Sequence, residues 1–226
     1  MSSFTVGDEV LGFTTLEAQA QAVVVGVAQV VAKPAGMSWE VAGALSAAGQ
    51  TAYNALKVLG VGAGDTLLVH AAAGGVGSVA VQLAREWGAT VIGTASAGNH
   101  DYLRSLGVIP VVYDDGLAER VRVLAPNGVD AALDAVGGDS ITASLELVNA
   151  KHRIGTNVDY ASAAKFGIQI LGGDRSAAIL TELADLQERG KLRIHIHQAV
   201  PFAAAADAHR EVETGHVRGR VVMTVE

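Results

Sequence analysis

Apolar residues along the chain follow two spacings that alternate. Thr66–His70, Thr90–Thr94, Val111–Tyr113 and Val129–Asp134 are short aliphatic runs of strand type. Between and after them, Val76–Trp87, Asp101–Leu106, Leu117–Leu124 and Ser140–Val148 place apolar residues three and four apart, as helices do. Arg153–Val158 and Phe166–Leu171 continue as strands, and Ile179, Leu180, Leu183 and Leu186 mark a helix that stops at Gly190. Strand–helix alternation of this kind predicts an α/β fold built on a doubly wound parallel sheet. Ahead of it, Ser38 is an N-cap for a helical run from Trp39 to Leu59, which Gly49 and Thr51 are expected to interrupt. The first segment differs. Strands are expected around Val10–Leu11 and over Ala22–Val31, before the break at Lys33-Pro34-Ala35-Gly36. The tail adds a strand at Ile194–Ile196, a helix at Ala204–Glu213 and a strand at Val221–Val225.

Composition narrows the classes. Half of the 226 residues are hydrophobic and only 17% are charged, so the chain can bury a sizeable core; aromatics at 4% make that core aliphatic. A net charge of −7 argues against nucleic acid or an anionic membrane as partner. There is no cysteine, hence no thiolate nucleophile and no Cys-type zinc site. The N-terminus carries no basic region followed by an apolar run, and the stretch Ala22–Ala32 is too short to span a bilayer, so a cytoplasmic location is expected.

The sharpest chemical signal is Leu67-Leu68-Val69-His70-Ala71-Ala72-Ala73-Gly74-Gly75-Val76-Gly77. An aliphatic strand enters a glycine-rich turn and a helix begins behind it, with the spacing of G-x-G-x-x-G and Ala72 in the first position. Backbone amides after Ala73 are then aimed at an anion, where the helix dipole favours negative charge. Gly74 permits close approach of a diphosphate, and Gly77 permits the helix to pack close to the strand. About twenty residues on, NAD binders usually carry an acidic residue for the ribose hydroxyls. Here stands Thr94-Ala95-Ser96-Ala97-Gly98-Asn99-His100, in which Ser96, Asn99 and His100 are donors suited to a 2′-phosphate, which favours NADPH.

Phe4-Thr5-Val6-Gly7-Asp8-Glu9-Val10, Gly49-Gln50-Thr51-Ala52-Tyr53, Ala71 to Gly77, Asp134-Ala135-Val136-Gly137-Gly138, Gly190-Lys191-Leu192 and Gly215-His216-Val217-Arg218-Gly219-Arg220 occur in this order. Together they resemble the zinc-free quinone oxidoreductase and enoyl reductase branch of the medium-chain dehydrogenase/reductase family, the zeta-crystallin-like proteins. The resemblance implies a Rossmann domain over residues 37–197 and the remnant of a GroES-like β domain over residues 1–36 together with 198–226. It implies Thr51 near the nicotinamide, Gly74, Gly75 and Val76 at the diphosphate, Ser96 and Tyr113 at the adenosine end, and Val136 and Gly137 beside the nicotinamide ribose. It also implies homodimers paired through Phe166–Leu171. Two departures stand out. In the family most of the GroES-like strands precede Phe4, so the resemblance is to a shortened member, and Gln21-Ala22 stands where relatives often have Glu-Tyr.

The expected function is NADPH-dependent hydride transfer to a quinone or an α,β-unsaturated carbonyl, without a metal. The alternative is a member repurposed as a cyclase or isomerase, or a non-catalytic NADPH-binding protein. Thr51 and Tyr53 are the catalytic candidates, Tyr53 reading equally well as a proton donor or as a core tyrosine. His195 and His197 share a strand face but lack an evident third ligand, His70 reads as a packed histidine beside the turn, and Asp114-Asp115 reads as a helix-start pair.

Overall fold

A computed structural model describes residues 4–225. Six of its strands form one wholly parallel sheet: β3 (Thr66–Val69), β4 (Thr90–Thr94), β5 (Ile109–Val111), β6 (Ala131–Asp134), β7 (Ile154–Thr156) and β8 (Gln169–Ile170). Their spatial order is β5-β4-β3-β6-β7-β8. Numbered within the sheet, this is the 3-2-1-4-5-6 order of a Rossmann fold, whose topological switch point falls between β3 and β6. Leu67, Leu68 and Val69 are fully buried, as are Ala131, Ala132 and Leu133 opposite them in register. Strands sealed on both faces need continuous apolar runs, which is why the sequence shows runs here rather than alternation.

Helices α2 (Gly77–Glu86), α3 (His100–Ser105), α4 (Leu117–Leu124) and α5 (Asp139–Leu147) connect successive strands. On one side of the sheet Leu117, Val121 and Ile141 pack into a cluster with Leu68, Ile92, Ala132 and Ile154. The sequence reading expected strand continuing over Arg153–Val158 and again from Phe166. Instead β7 is three residues long and α6 (Tyr160–Phe166) follows. The Asp159 carboxylate accepts the Ser162 amide at 3.0 Å as N-cap, and Gly167 closes the helix at φ +68. This helix has no apolar stripe for a periodicity reading to find.

The contacts divide the chain into two compact units. Residues Thr51–Gly173 hold the six-stranded sheet, and the residues up to Gln50 group with those from Asp174 onward. These borders lie at 50/51 and 173/174, inside the 37–197 span that the sequence set aside for the nucleotide domain. In the second grouping, β1 (Val10–Gly12) pairs antiparallel with β2 (Val30–Ala32), and β9 (Ile196–Pro201) pairs parallel with β10 (Arg220–Thr224). The strand expected over Ala22–Val31 is reduced to its last residues, because β1 offers only three residues of ladder. Before it, the Gln29 side chain accepts the Gly26 amide at 2.8 Å and donates to the Phe13 carbonyl at 3.2 Å, turning the chain. Val23, Val24 and Val27 are left exposed.

Helix α1 (Trp39–Val58) starts at Ser38, whose hydroxyl accepts the Val41 amide at 3.3 Å. It runs without a break through Gly49 and Thr51, contrary to expectation. Gly49 is there for closeness: a Cβ would stand 2.8 Å from a methyl of Leu183 in α7 (Ala177–Glu188). One residue later the Gln50 side chain accepts the Ser176 amide at 2.7 Å, ahead of that same α7. Helix α8 (Ala205–Glu213) completes the grouping.

Within Thr51–Gly173, Arg153 clamps three elements together. Its guanidinium meets the Asp65 carboxylate through two bonds of 3.0 and 2.7 Å and donates to the carbonyls of Leu59 and Gly60, both at 3.1 Å. The same guanidinium holds the Asp65 carboxyl below its ordinary range. Replacing Arg153 by Ala strips these acceptors of their donor, and a loss of about 2 kcal/mol in unfolding free energy is expected. Urea denaturation of both forms measures it, and an unchanged midpoint would remove the clamp from the account.

Candidate functional site

In a parallel sheet all carboxyl ends share one edge, so the turns after β3, β4, β5 and β6 are gathered there by topology alone. The turn after β3 is set by main-chain bonds to its neighbour. The Ala71 amide donates to the Thr94 hydroxyl at 3.2 Å and the Ala72 amide to the Thr94 carbonyl at 2.9 Å. Ala71 adopts a left-handed φ of +53, uncommon for a residue with a side chain. Gly74 donates to the Ala71 carbonyl and accepts from the Ser78 amide, both at 2.9 Å. That leaves the amides of Gly75, Val76 and Gly77 without a backbone acceptor among the described residues. They stand at the start of α2, a ten-residue helix with no side-chain cap. Gly77 must be glycine: a Cβ would fall 2.3 Å from the Ala71 carbonyl oxygen and 2.8 Å from the Ala72 Cα. Helix and turn touch backbone to backbone, and the three open amides stand at the helix N-terminus, where the dipole favours negative charge. Ala73 is buried.

Across the switch point, Asp134 ends β6 with no exposed surface. Its carboxylate accepts the Val136 amide at 3.1 Å and the Gly137 amide at 2.9 and 3.1 Å. It also accepts the hydroxyls of Ser140 and Thr156, both at 2.6 Å. Thr156 in turn accepts the amides of Val158 and Asp159 at 3.2 and 3.0 Å. One carboxylate thereby shapes the loops after both β6 and β7. The amides of Val136 and Gly137 are spent inward, so these two residues can meet a ligand only through Val136's exposed side chain and through carbonyls. Asp159 is held below the usual carboxylate range, first by the Ser162 amide.

His70 lies at the head of the turn, 1% exposed. Its Nε2 is 3.0 Å from the Ser144 hydroxyl, and that hydroxyl donates onward to the Ser140 carbonyl at 2.8 Å. The hydroxyl therefore accepts from His70, which fixes the neutral Nε2–H form. Burial pushes this imidazole down to about 4, against the opposing pull of Asp134.

At the ends of β4 and β5, the Asn99 amide group donates to the Ser96 hydroxyl at 3.2 Å, and His100 Nε2 donates to the Ala95 carbonyl at 3.3 Å. Tyr113 is exposed on the same edge. Asp101, the first carboxylate after β4, is engaged by Arg104 at 2.7 Å. Arg120 bridges the end of β5, donating to the carbonyls of Val112, Asp114 and Asp115 and pairing with the Asp114 carboxylate, while α4 starts behind Gly116 with no side-chain cap.

Ala73, Gly74, Gly75, Val76, Gly77, Ser96, Asn99, Tyr113, Val136 and Gly137 thus all stand on the loops of one sheet edge. Tyr53 does not. Its ring meets Trp87 edge-on at 5.4 Å between centroids, and the Lys57 ammonium lies 5.3 Å from Tyr53 and 4.2 Å from Trp87. Trp87 follows the last turn of α2, about 15 Å of helix from the glycine turn. Tyr53 is placed as a packing tyrosine, not as a proton donor at that turn. Thr51 is half-buried midway along α1. His197 bonds to Glu211 at 3.2 Å, and no group of three His, Cys, Asp or Glu able to hold a metal occurs among the described residues. Sequence reasoning gave no site role to Asp134, Ser140, Ser144 and Thr156; Asp134 and Thr156 are signalled as polar residues ending aliphatic strands, and Ser140 and Ser144 only as serines four apart on the next helix.

Residues 106–223 match the family model described as zinc-binding dehydrogenase. Among curated proteins, the pikromycin polyketide synthase component PikAII of Streptomyces venezuelae is 32% identical over 97% of this chain. The chain spans only 6% of that much longer protein. The quinone oxidoreductase of Coxiella burnetii superposes with a TM-score of 0.83 at 30% identity, over all of this chain and 74% of its own. CurK enoyl reductase gives 0.84 at 28% identity, over all of this chain and 74% of its own. Mycobacterial Rv1454c complexed with NADPH gives 0.83 at 27%, over 98% of this chain and 76% of its own.

The His70 environment makes a pH prediction. Unfolded, the imidazole takes a proton near pH 6.5; folded, only near 4. Between those values the unfolded state binds more protons, so stability falls as pH drops from about 6.5 towards 4, by roughly 3 kcal/mol at the limit. His70→Gln cannot take up that proton, and its denaturation midpoint should lose this share of the acid sensitivity. Identical pH slopes in both forms would rule the histidine out as the source.

Proposed function

This chain belongs to the zinc-binding dehydrogenase family of the medium-chain dehydrogenases/reductases, and on that premise we propose that it uses NADPH to reduce a quinone or an α,β-unsaturated carbonyl. The observation that carries the reading is the cradle of open amides at Gly75, Val76 and Gly77, on the switch-point edge of a 3-2-1-4-5-6 sheet. The cradle suits a diphosphate in shape and charge, because the Gly77 backbone contact admits no side chain between turn and helix. From Thr94 to His100 there is no carboxylate to repel a 2′-phosphate, and Ser96 and Asn99 are donors. Structures similar to this chain include a quinone oxidoreductase, an enoyl reductase and an NADPH complex.

In this reading the three amides bind the diphosphate, Ser96 and Asn99 hold the 2′-phosphate, and Tyr113 lies against the adenine. Val136 offers its side chain and Gly137 its carbonyl at the nicotinamide ribose, while Asp134 keeps their amides turned away. Thr51 orients the nicotinamide. When bound, the nicotinamide supplies hydride to an electrophilic carbon. The chain's share is orientation and exclusion of water, which together lower the barrier by removing positional freedom. NADPH oxidation followed by absorbance against a panel of quinones and enones tests the proposal. Turnover with at least one acceptor is expected, with NADPH bound at least about tenfold more tightly than NADH. Tight binding with no acceptor reduced would shift the assignment to a non-redox member of the family; no binding at all would overturn it.

We also infer that two copies pair along the open edge of β8. Among the described residues that strand is bonded only to β7 in the sheet order, and its Ile170 is exposed. An unpaired apolar edge strand is a template for association. Light scattering at micromolar concentration should give twice the chain mass, and Ile170→Lys should return it to the monomer value. A monomer in the unsubstituted protein refutes the pairing.

A further inference from the structure

The turn after β3 and the loop after β6 are joined by a buried polar thread. From His70 Nε2 it passes to the Ser144 hydroxyl at 3.0 Å and from there to the Ser140 carbonyl at 2.8 Å. The Ser140 hydroxyl continues it to Asp134 at 2.6 Å, and Asp134 holds the Gly137 amide at 2.9 Å. Ser140 also lies 2.9 Å from the Gly137 carbonyl, and α5 begins directly after Gly138. His70, Ser144 and Asp134 are all buried. We propose that His70 and Ser144 are positioning residues: through α5 they fix where the 136–138 loop stands relative to the glycine turn.

His70 is tied to this half of the sheet twice, since its own amide also donates to the Leu133 carbonyl at 2.9 Å. Its side-chain bond is not interchangeable with simple filling. Ser144 keeps an acceptor for its own hydroxyl within α5, so losing the imidazole leaves the serine satisfied but unanchored. Losing the serine strands a buried N–H donor, which has to move to find another acceptor. Either change frees α5 to shift along with Ser140, whose hydroxyl meets both the Asp134 carboxylate that holds the loop amides and the Gly137 carbonyl. The next residue after His70 is Ala71 in its left-handed conformation, so the glycine turn departs from the same anchored point.

The importance of this thread for the coenzyme rests on the reading under Proposed function, whereas its hold on the loop can be measured without it. The experiment compares the unsubstituted chain with His70→Phe, Ser144→Ala and His70→Gln at neutral pH. It records the NADPH dissociation constant and amide hydrogen exchange at Val136 and Gly137, with the amides of β4 as a control. His70→Phe and Ser144→Ala should each speed exchange at both loop amides and weaken NADPH binding by about tenfold. The β4 amides should keep their protection. His70→Gln, which keeps an N–H donor, should return both readings to within about threefold of the starting values.

Loop amides that do not respond to His70→Phe overturn the proposal. So does a glutamine variant no better than phenylalanine, which would make the site a matter of packing. If the unsubstituted chain binds no nicotinamide coenzyme, the coenzyme reading fails separately, and the loop amides alone decide whether the thread positions the loop.

Discussion

A carboxylate with no exposed surface, Asp134, carries the organisation of the switch point. A carboxylate removed from water must be met by donors, and here two backbone amides and two hydroxyls meet it. Because the donors come from the loop after β6, from the end of β7 and from the start of α5, satisfying this carboxylate determines how three elements are arranged. The geometry leaves little slack: Gly137 reaches both carboxylate oxygens at left-handed φ +81, where an L side chain would be strained.

The glycine turn on the other side of the switch point follows a different rule. Its form is set by contact distance rather than by charge. Gly77 sits so close to the Ala71 carbonyl that no side chain fits, and the amides of Gly75, Val76 and Gly77 keep no backbone acceptor among the described residues. One loop thus keeps its amides free while the other spends them. The contrast separates the parts available to an anion from the parts that only shape the crevice. It also narrows what Val136 and Gly137 can do, since a ligand finds there a side chain and carbonyls rather than donors.

Tyr53 shows why a residue type in the right neighbourhood of a motif is not enough. It lies two residues from Thr51, in a stretch resembling the family's pattern, yet its ring stands with Trp87 and Lys57 past the far end of α2. Gly49 teaches the same lesson. In sequence it reads as a helix breaker, but the pressure of Leu183 against α1 makes it a contact residue within an unbroken helix. In both cases the deciding partner is remote along the chain.

What the sequence determined by itself is what local chemistry can fix. Aliphatic runs sealed on both faces specified the parallel strands, and helical spacing specified α2, α4, α5 and α7. The strand–glycine–helix order located the tight turn ahead of α2, since close approach needs glycine whatever surrounds it. The tertiary structure decided everything that depends on partners far away in sequence. It set the order of the strands, shortened the Ala22–Val31 strand for want of a longer ladder, and added α6 on its capping bonds and the packing of Ala163 and Phe166 on the core. It joined His70 to Ser144 across seventy-four positions, and Asp134 to Thr156 across twenty-two. A buried polar group looks the same in sequence as an exposed one; only the fold supplies the donors that make its burial possible.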